Sequence, residues 1–170
     1  MRLKDKVAIV TGGSRGIGFA TVQAFLKEGA QVILCASSLA SAQKAVDQLK
    51  ESDPNAKVDG IAPNLSNLEE VREVFGEVAK RYGRIDILVN NAGVSESTSF
   101  ADYTEAVFDH VMNLNVKGMF NGAKVASEYM MEQGGGVILS TSSMVSKYGQ
   151  PSGIAYPTSK FAVNGFTVSL

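Results

Sequence analysis

The chain has 170 residues, with 16 basic and 17 acidic side chains, a net charge of −1, 45% hydrophobic and 19% charged residues. At about 100–200 residues per domain this is one domain, large enough to bury about 70% of its unfolded surface. The balance excludes disorder, collagen and coiled coil as the main state, and no global field favours nucleic acid or an anionic membrane.

Val7-Ala-Ile-Val10 is a short β-branched run entering Thr11-Gly12-Gly13, which predicts a buried strand before a glycine turn. Ile17, Phe19, Val22, Phe25 and Leu26 then recur near helical spacing, with Gly29 as the stop. Val32–Cys35 reads as a second strand. Residues 40–50 carry Ala42, Ala45, Val46 and Leu49 on one helical face, and Asp53-Pro54-Asn55 is a turn. Lys57–Ala62 is a weaker third strand. Ser66-Asn-Leu-Glu69 has capping-box spacing, ahead of a helix that displays Val71, Val74, Phe75 and Val78 and ends at Gly83. Ile85–Val89 is a fourth strand, closed by Asn90-Asn91-Ala92-Gly93. Thr104 is expected to cap a long helix running to about Met131, which Gly134–Gly136 breaks. Val137–Leu139 is a fifth strand leading to Ser140–Ser143, and a last helix is expected from about Ser152. This alternation predicts an α/β fold: a Rossmann-type, doubly wound parallel sheet flanked by helices, with right-handed crossovers.

Cys35 is the sole cysteine, so no intrachain disulfide forms, and a reducing, cytoplasmic setting suits the chain. No apolar run approaches the ~20 residues of a membrane span, and Val7–Val10 is too short for a signal-peptide core. His110 is the only histidine, which excludes a metal site of clustered histidines.

Glycines between a first strand and a first helix let the backbone approach a pyrophosphate, whose charge the helix N-terminus attracts. Here the segment Thr11-Gly-Gly-Ser-Arg-Gly-Ile-Gly18 reads TGxxxGxG rather than GxGxxG, with Ser14, Arg15 and Ile17 set among Gly12, Gly16 and Gly18. A plain strand-to-helix turn is the alternative; the place in the chain favours a dinucleotide. An NAD site usually carries Asp or Glu at the end of the second strand. This chain has Cys35-Ala36-Ser37-Ser38 there, and Arg15 is available to a 2′-phosphate. NADP(H) is therefore favoured, and NAD(H) stays open because Ser37 stands where many NADP sites carry arginine.

Tyr156-Pro-Thr-Ser-Lys160 sets a phenol and an ammonium on one helix face. A free phenol of pKa ≈ 10 must drop by ~3 units to exchange protons near pH 7, and an ammonium and an oxidised nicotinamide can supply that by stabilising phenolate. Pro157 requires that the helix start close upstream or kink.

Five segments in order now carry a resemblance: Thr11–Gly18, Asn90-Asn-Ala-Gly93, Asn115 in Asn115-Val-Lys-Gly118, Ser143 in Ser142-Ser143, and Tyr156-x-x-x-Lys160. Each is weak singly, but the ordered set resembles the short-chain dehydrogenase/reductase family over the whole of residues 1–170. Within it the chain is most similar to bacterial 3-oxoacyl-carrier-protein reductases and related hydroxysteroid or sugar-alcohol dehydrogenases.

The resemblance implies an oxidoreductase acting on a small-molecule alcohol or ketone. Tyr156 would be the general acid in reduction and the base in oxidation. Lys160 would assist it and hold the nicotinamide ribose. Ser143 would hydrogen-bond the substrate oxygen, although Ser140, Ser142 and Ser146 lie near. Asn115 would anchor a water that relays protons to Lys160, a role that in the family includes a kink of the helix there, with a plain helix-kink residue as the alternative. Asn90 would brace the strand end, Asn91, Ala92 and Gly93 would border the cofactor, and Asn64-Leu65 would approach the adenine. Val94, Met144, Val145, Tyr148 and Ile154 would line an apolar substrate pocket, with core packing as the alternative, and the apolar loop 144–154 suggests a hydroxysteroid. A homodimer or homotetramer is implied. The competing function is a dinucleotide-binding module without turnover. Family members usually run longer, so the chain is expected to be an incomplete domain, lacking C-terminal strands and the substrate loop and leaving Val137–Leu139 as an apolar edge.

Overall fold

The β-branched and aliphatic runs become five strands in the computed structural model, which describes residues 1–170. They are β1 (Val7–Thr11), β2 (Gln31–Cys35), β3 (Val58–Ile61), β4 (Ile87–Asn90) and β5 (Val137–Ser140). All pair in parallel, in the order β3-β2-β1-β4-β5. The chain winds one way from β1 to β3 and the other way from β4 to β5, so a crevice opens where the direction reverses, at the carboxyl ends of β1 and β4. Register aligns those ends: Thr11 lies beside Cys35, Val10 beside Val89, and Asn90 beside Ser140.

The helices are α1 (Gly16–Lys27), α2 (Leu39–Ser52), α3 (Leu68–Tyr82), α4 (Glu105–Met112), α5 (Met119–Glu132), α6 (Val145–Tyr148) and α7 (Ala155–Ser169). Strand residues alternate between the two faces, and both are covered. Ile9, Ile33 and Leu88 pack with Val71 and Phe75 of α3 and Ala123 and Ala126 of α5. Val10, Leu34 and Val89 pack with Val22 of α1 and Ala42, Val46 and Leu49 of α2. Phe75 is wholly buried, which contributes about 1.5–3 kcal/mol on transfer from water. The edge strand β5 is different: Val137 is 52% and Leu139 49% exposed. Cys35, the last residue of β2, is buried, and burial pushes its thiol pKa well up. No helix is long and apolar enough to cross a membrane.

At the opposite end of the sheet, Asp86 is buried and accepts from the Val7 N–H at 2.9 Å, from Arg84 at 2.7 and 2.6 Å and from Lys6 at 3.3 Å. Burial acts to raise its pKa, but Arg84, Val7 and Lys6 together hold it below the usual carboxylate range.

Three local expectations shift. The capping box at Ser66 is displaced by one residue: Asn67 caps α3, its Oδ1 accepting from the Glu69 and Glu70 N–H groups at 3.1 and 3.3 Å. The Ser66 hydroxyl is used elsewhere, donating to the Asn113 carbonyl at 3.0 Å. The long helix is divided, because a π-helical turn (Asn113–Gly118) joins α4 to α5. The last helix starts at Ala155 rather than Ser152, behind the short α6 and the left-handed Gly149 and Gly153, with φ of +70° and +72°. Pro157 therefore sits in the first turn of α7, where its missing N–H costs no helical bond.

Candidate active site

A cleft of about 930 Å³ opens at the carboxyl ends of the strands. Gly12, Ser14, Arg15, Gly16, Ile17, Ser37, Asn64, Leu65, Asn91, Ala92 and Gly93 all line it. Gly18 does not; it is buried beneath, where a Cβ would strike the Gly12 carbonyl and lie 2.6 Å from Asn91 Nδ2. Gly12 and Gly16 have φ of +64° and +57°, a region side chains rarely enter. The loop and the first turn of α1 are thus pressed together more closely than any side chain allows.

Arg15 is the N-cap of α1, makes no side-chain capping bond, and no acidic residue lies in the first turn. The positive end of the helix is left to the cleft. This cradle fits a dinucleotide pyrophosphate. Thr11 and Asn91 fasten its floor. Thr11 Oγ1 accepts from the Asn91 and Ala92 N–H groups at 2.9 and 3.0 Å, and Asn91 Nδ2 donates to the Thr11 and Gly12 carbonyls at 3.1 and 3.3 Å.

Past β2, Ser38 caps α2 by accepting from the Ser41 N–H at 3.2 Å, while Ser37 faces the cleft. Lys44 of α2 also lines the cleft. No motif marks Lys44; only the turn of α2 brings it there.

The second group of residues gathers on α7, the π-turn and the segment after β5. Asn115 Oδ1 accepts from the Val94 N–H at 2.8 Å, and its Nδ2 donates to the Val94 carbonyl at 2.9 Å and to Ser159 Oγ at 3.0 Å. Ser159 Oγ in turn donates to the Tyr156 carbonyl at 2.7 Å. Asn115 therefore reaches α7 through Ser159, a residue the sequence did not single out. Lys160 is only 6% exposed; its Nζ donates to the Thr141 carbonyl at 2.7 Å and lies 5.7 Å from the centre of the Tyr156 ring. Burial lowers the pKa of Lys160.

The neighbouring serines separate by partner. Ser142 Oγ donates to Asn164 Oδ1 at 2.6 Å, and Ser146 Oγ donates to the Ser143 carbonyl at 2.6 Å while accepting from Asn164 Nδ2 at 2.9 Å. Ser143 Oγ has only a long contact, 3.4 Å, from the Val145 N–H. Of the pair Ser142 and Ser143, only Ser143 keeps a hydroxyl without a short partner; Ser140, at the end of β5, also makes no side-chain hydrogen bond.

Asn90 braces the strand end through its backbone, its carbonyl accepting from the Thr141 N–H at 2.9 Å. Its side chain does not brace anything: Nδ2 and Oδ1 are buried without a partner. They border a cavity of about 10 Å³ shared with Thr11, Asn115, Thr141 and Lys160, the size of one water.

Among the apolar candidates, Val94 lines the cleft. Met144, Tyr148 and Ile154 are 75%, 81% and 44% exposed, so they are not core residues.

Comparison with known proteins places this geometry. A family model described as short chain dehydrogenase matches residues 6–170. The chain is 54% identical over 170 residues to a 3α-hydroxysteroid dehydrogenase of Mediterraneibacter gnavus, an alignment covering 100% of this chain and 68% of that protein. It is 39% identical to a 3-oxoacyl-[acyl-carrier-protein] reductase of Thermotoga maritima, covering 98% and 67%. Of solved structures, NAD+-bound xylitol dehydrogenase superposes with a TM-score of 0.93 at 30% identity, covering 99% of this chain and 65% of that one. Levodione reductase gives 0.92 at 31% identity, covering 98% and 65%. The chain spans about two thirds of the length of these relatives.

Proposed function

The chain belongs to the short-chain dehydrogenase family, and we propose that this protein transfers a hydride between NADP(H) and the carbonyl or hydroxyl carbon of a hydroxysteroid, with Tyr156 exchanging the proton. The observation that carries this is the linked set Asn115–Ser159–Tyr156 with Lys160 buried one turn on and Ser143 left unclaimed. A bound nicotinamide supplies the hydride chemistry.

The chain's own residues do the rest. The Gly12–Ile17 loop and the first turn of α1 hold the pyrophosphate, and Ser37, Asn64 and Leu65 border the adenosine. Arg15 pairs with a 2′-phosphate, which meets no carboxylate at the end of β2. Ser143 donates to the substrate oxygen as negative charge develops there. Tyr156 gives its proton to that oxygen in reduction and takes it back in oxidation. The Lys160 ammonium stabilises the charge left on the phenol oxygen, in a corner where burial strengthens the interaction. In reduction the phenolate recovers its proton from the Lys160 ammonium, and a water in the cavity between Asn90, Asn115 and Lys160 would pass one back to the amine from solvent; the two unpartnered Asn90 atoms favour that water.

Two observations support a steroid substrate: the identity with the hydroxysteroid dehydrogenase and the exposed apolar Met144, Tyr148 and Ile154. The test is absorbance at the nicotinamide band with a 3-ketosteroid, an acyl thioester ketone and a sugar ketone, each with NADPH and NADH. Turnover of the steroid with NADPH is expected. Reaction of the other ketones alone overturns the substrate assignment, and undiminished turnover by Tyr156→Phe overturns the mechanism.

A further inference from the structure

The loop after β4 also fastens the start of α7. That helix opens at Ala155 with no capping bond from its own N-cap residue, Ile154. Instead, the Tyr103 hydroxyl accepts from the Ala155 N–H at 3.1 Å and donates to Glu96 Oε1 at 2.7 Å. Glu96 Oε2 accepts from the Thr98 N–H at 2.9 Å. Burial acts to raise the pKa of Glu96, but the Tyr103 hydroxyl and the Thr98 and Tyr156 N–H groups hold it below the usual range. Alongside, the Gly153 N–H donates to the Thr98 carbonyl at 2.9 Å, and a Cβ at Gly153 would collide with the Glu96 carbonyl.

An acid at a helix N-terminus satisfies orphan N–H groups and complements the dipole. A serine or aspartate at position 154 would do that locally. A carboxylate and a phenol drawn from a separate loop do something a local cap does not: they tie the first turn of α7 to one particular neighbour. That neighbour is the loop whose Val94 backbone is gripped at both its N–H and its carbonyl by Asn115. Asn115 reaches α7 from the other side through Ser159. Tyr156 is thus held on two sides, and both attachments lead back to the same loop.

We propose that Glu96 and Tyr103 are positioning residues for the reaction, holding the first turn of α7 so that Tyr156 keeps its place relative to the loop after β4 and to Asn115. The proposal rests on the role given above to Tyr156. Neither residue need touch the substrate. Their effect is geometric, and displacements near 1 Å at a reacting group cost up to about 10²-fold in rate.

The test uses the active protein. Glu96→Ala is expected to lower kcat about tenfold or more, with the KM for the ketone changed less and the cofactor Kd by nucleotide fluorescence within about twofold. Tyr103→Phe, which removes one hydroxyl, is expected to lower kcat in the same way but less, and it carries the test if Glu96→Ala does not fold. Glu96→Gln keeps an acceptor for the Tyr103 hydroxyl or the Thr98 N–H and is expected to restore most of kcat. Amide hydrogen exchange in a peptide covering 153–160 should speed up in Glu96→Ala and not in Glu96→Gln. Full kcat in Glu96→Ala, or equal losses in the Ala and Gln variants with unchanged exchange, overturns the proposal. Tyr156→Phe separates the two levels. If it stays fully active the mechanism fails and the clamp with it; if it is inactive beside a fully active Glu96→Ala, the clamp alone fails.

Discussion

On the β1–α1 side of the cleft the chain packs backbone against backbone at Gly12 and Gly18, with the Ser14, Arg15 and Ser37 side chains along its lining. On the β5–α7 side the residues proposed above to act are side chains, Ser143, Tyr156 and Lys160, in a region knitted together by other side chains such as Asn115, Ser159 and Asn164. The first wall is rooted in β1, buried along its whole length; the second follows β5, which is half exposed on one face. At Gly12 and Gly18 that packing tolerates almost no added atom, because backbone cannot rotate away, whereas Gly16 has open space around it. A wall made of side chains can lose one member and keep the rest, so it fails in chemistry before it fails in shape.

That contrast is open to test. The largest effect is expected at Tyr156→Phe: kcat falls on the order of 10²–10⁴-fold with the cofactor Kd unchanged, in steady-state rates and nucleotide titration. A parallel loss of cofactor affinity would show that the two walls are not separable. Gly18→Ala should do the reverse. Its Cβ meets the Gly12 carbonyl, so the first turn of α1 must move, and cofactor affinity is expected to fall by about tenfold or more, at least about 1.4 kcal/mol. Arg15→Ala is more selective: affinity for NADP(H) drops several-fold while that for NAD(H) holds. Equal losses for both would remove Arg15 from the 2′-phosphate.

The smallest effect is one of stability. Burial lowers the pKa of Lys160 from its ordinary 10.5, so the folded state binds that proton less tightly than the unfolded chain does. The charge therefore opposes folding below the lowered pKa, and the penalty fades as pH rises towards 10.5. In denaturant melts, the stability of Lys160→Met relative to the parent should be greatest near neutral pH and shrink towards pH 10.5. A pH-independent difference would mean that the Thr141 carbonyl fully compensates the buried ammonium.

The backbone wall was the more legible from sequence, for the same reason that it is rigid. Glycine spacing states directly where no Cβ fits, and alternating strand and helix periods order the sheet. The side-chain wall depends on partners far along the chain. Ser143 separates from Ser142 only because Asn164, on α7, takes the Ser142 hydroxyl. Nothing in Asn113-Leu-Asn-Val-Lys-Gly118 forbids an ordinary helix. The π-turn accompanies the contacts of Asn115 with Val94 and of Gly118 with Leu65, where a Cβ would meet the Leu65 Cβ at 3.2 Å. The cap of α3 moved to Asn67 while the Ser66 hydroxyl bonded Asn113 in that same turn. Glu96, Tyr103 and Lys44 belong to no motif, so only folding reveals what they face.

Cys35 closes β2 in register with Thr11 and Ile61, and it holds the only thiol in the chain. With the thiol buried and burial pushing its pKa up, it is expected to meet a thiol reagent only when the carboxyl end of β2 opens. Every reaction at this sulfur must then record an opening of that end, and the labelling rate becomes a clock for it. A dinucleotide that binds only the closed sheet would slow the clock in proportion to its occupancy. Slower labelling of Cys35 with a dinucleotide present is the expected outcome, and it can be read without turnover or a known substrate.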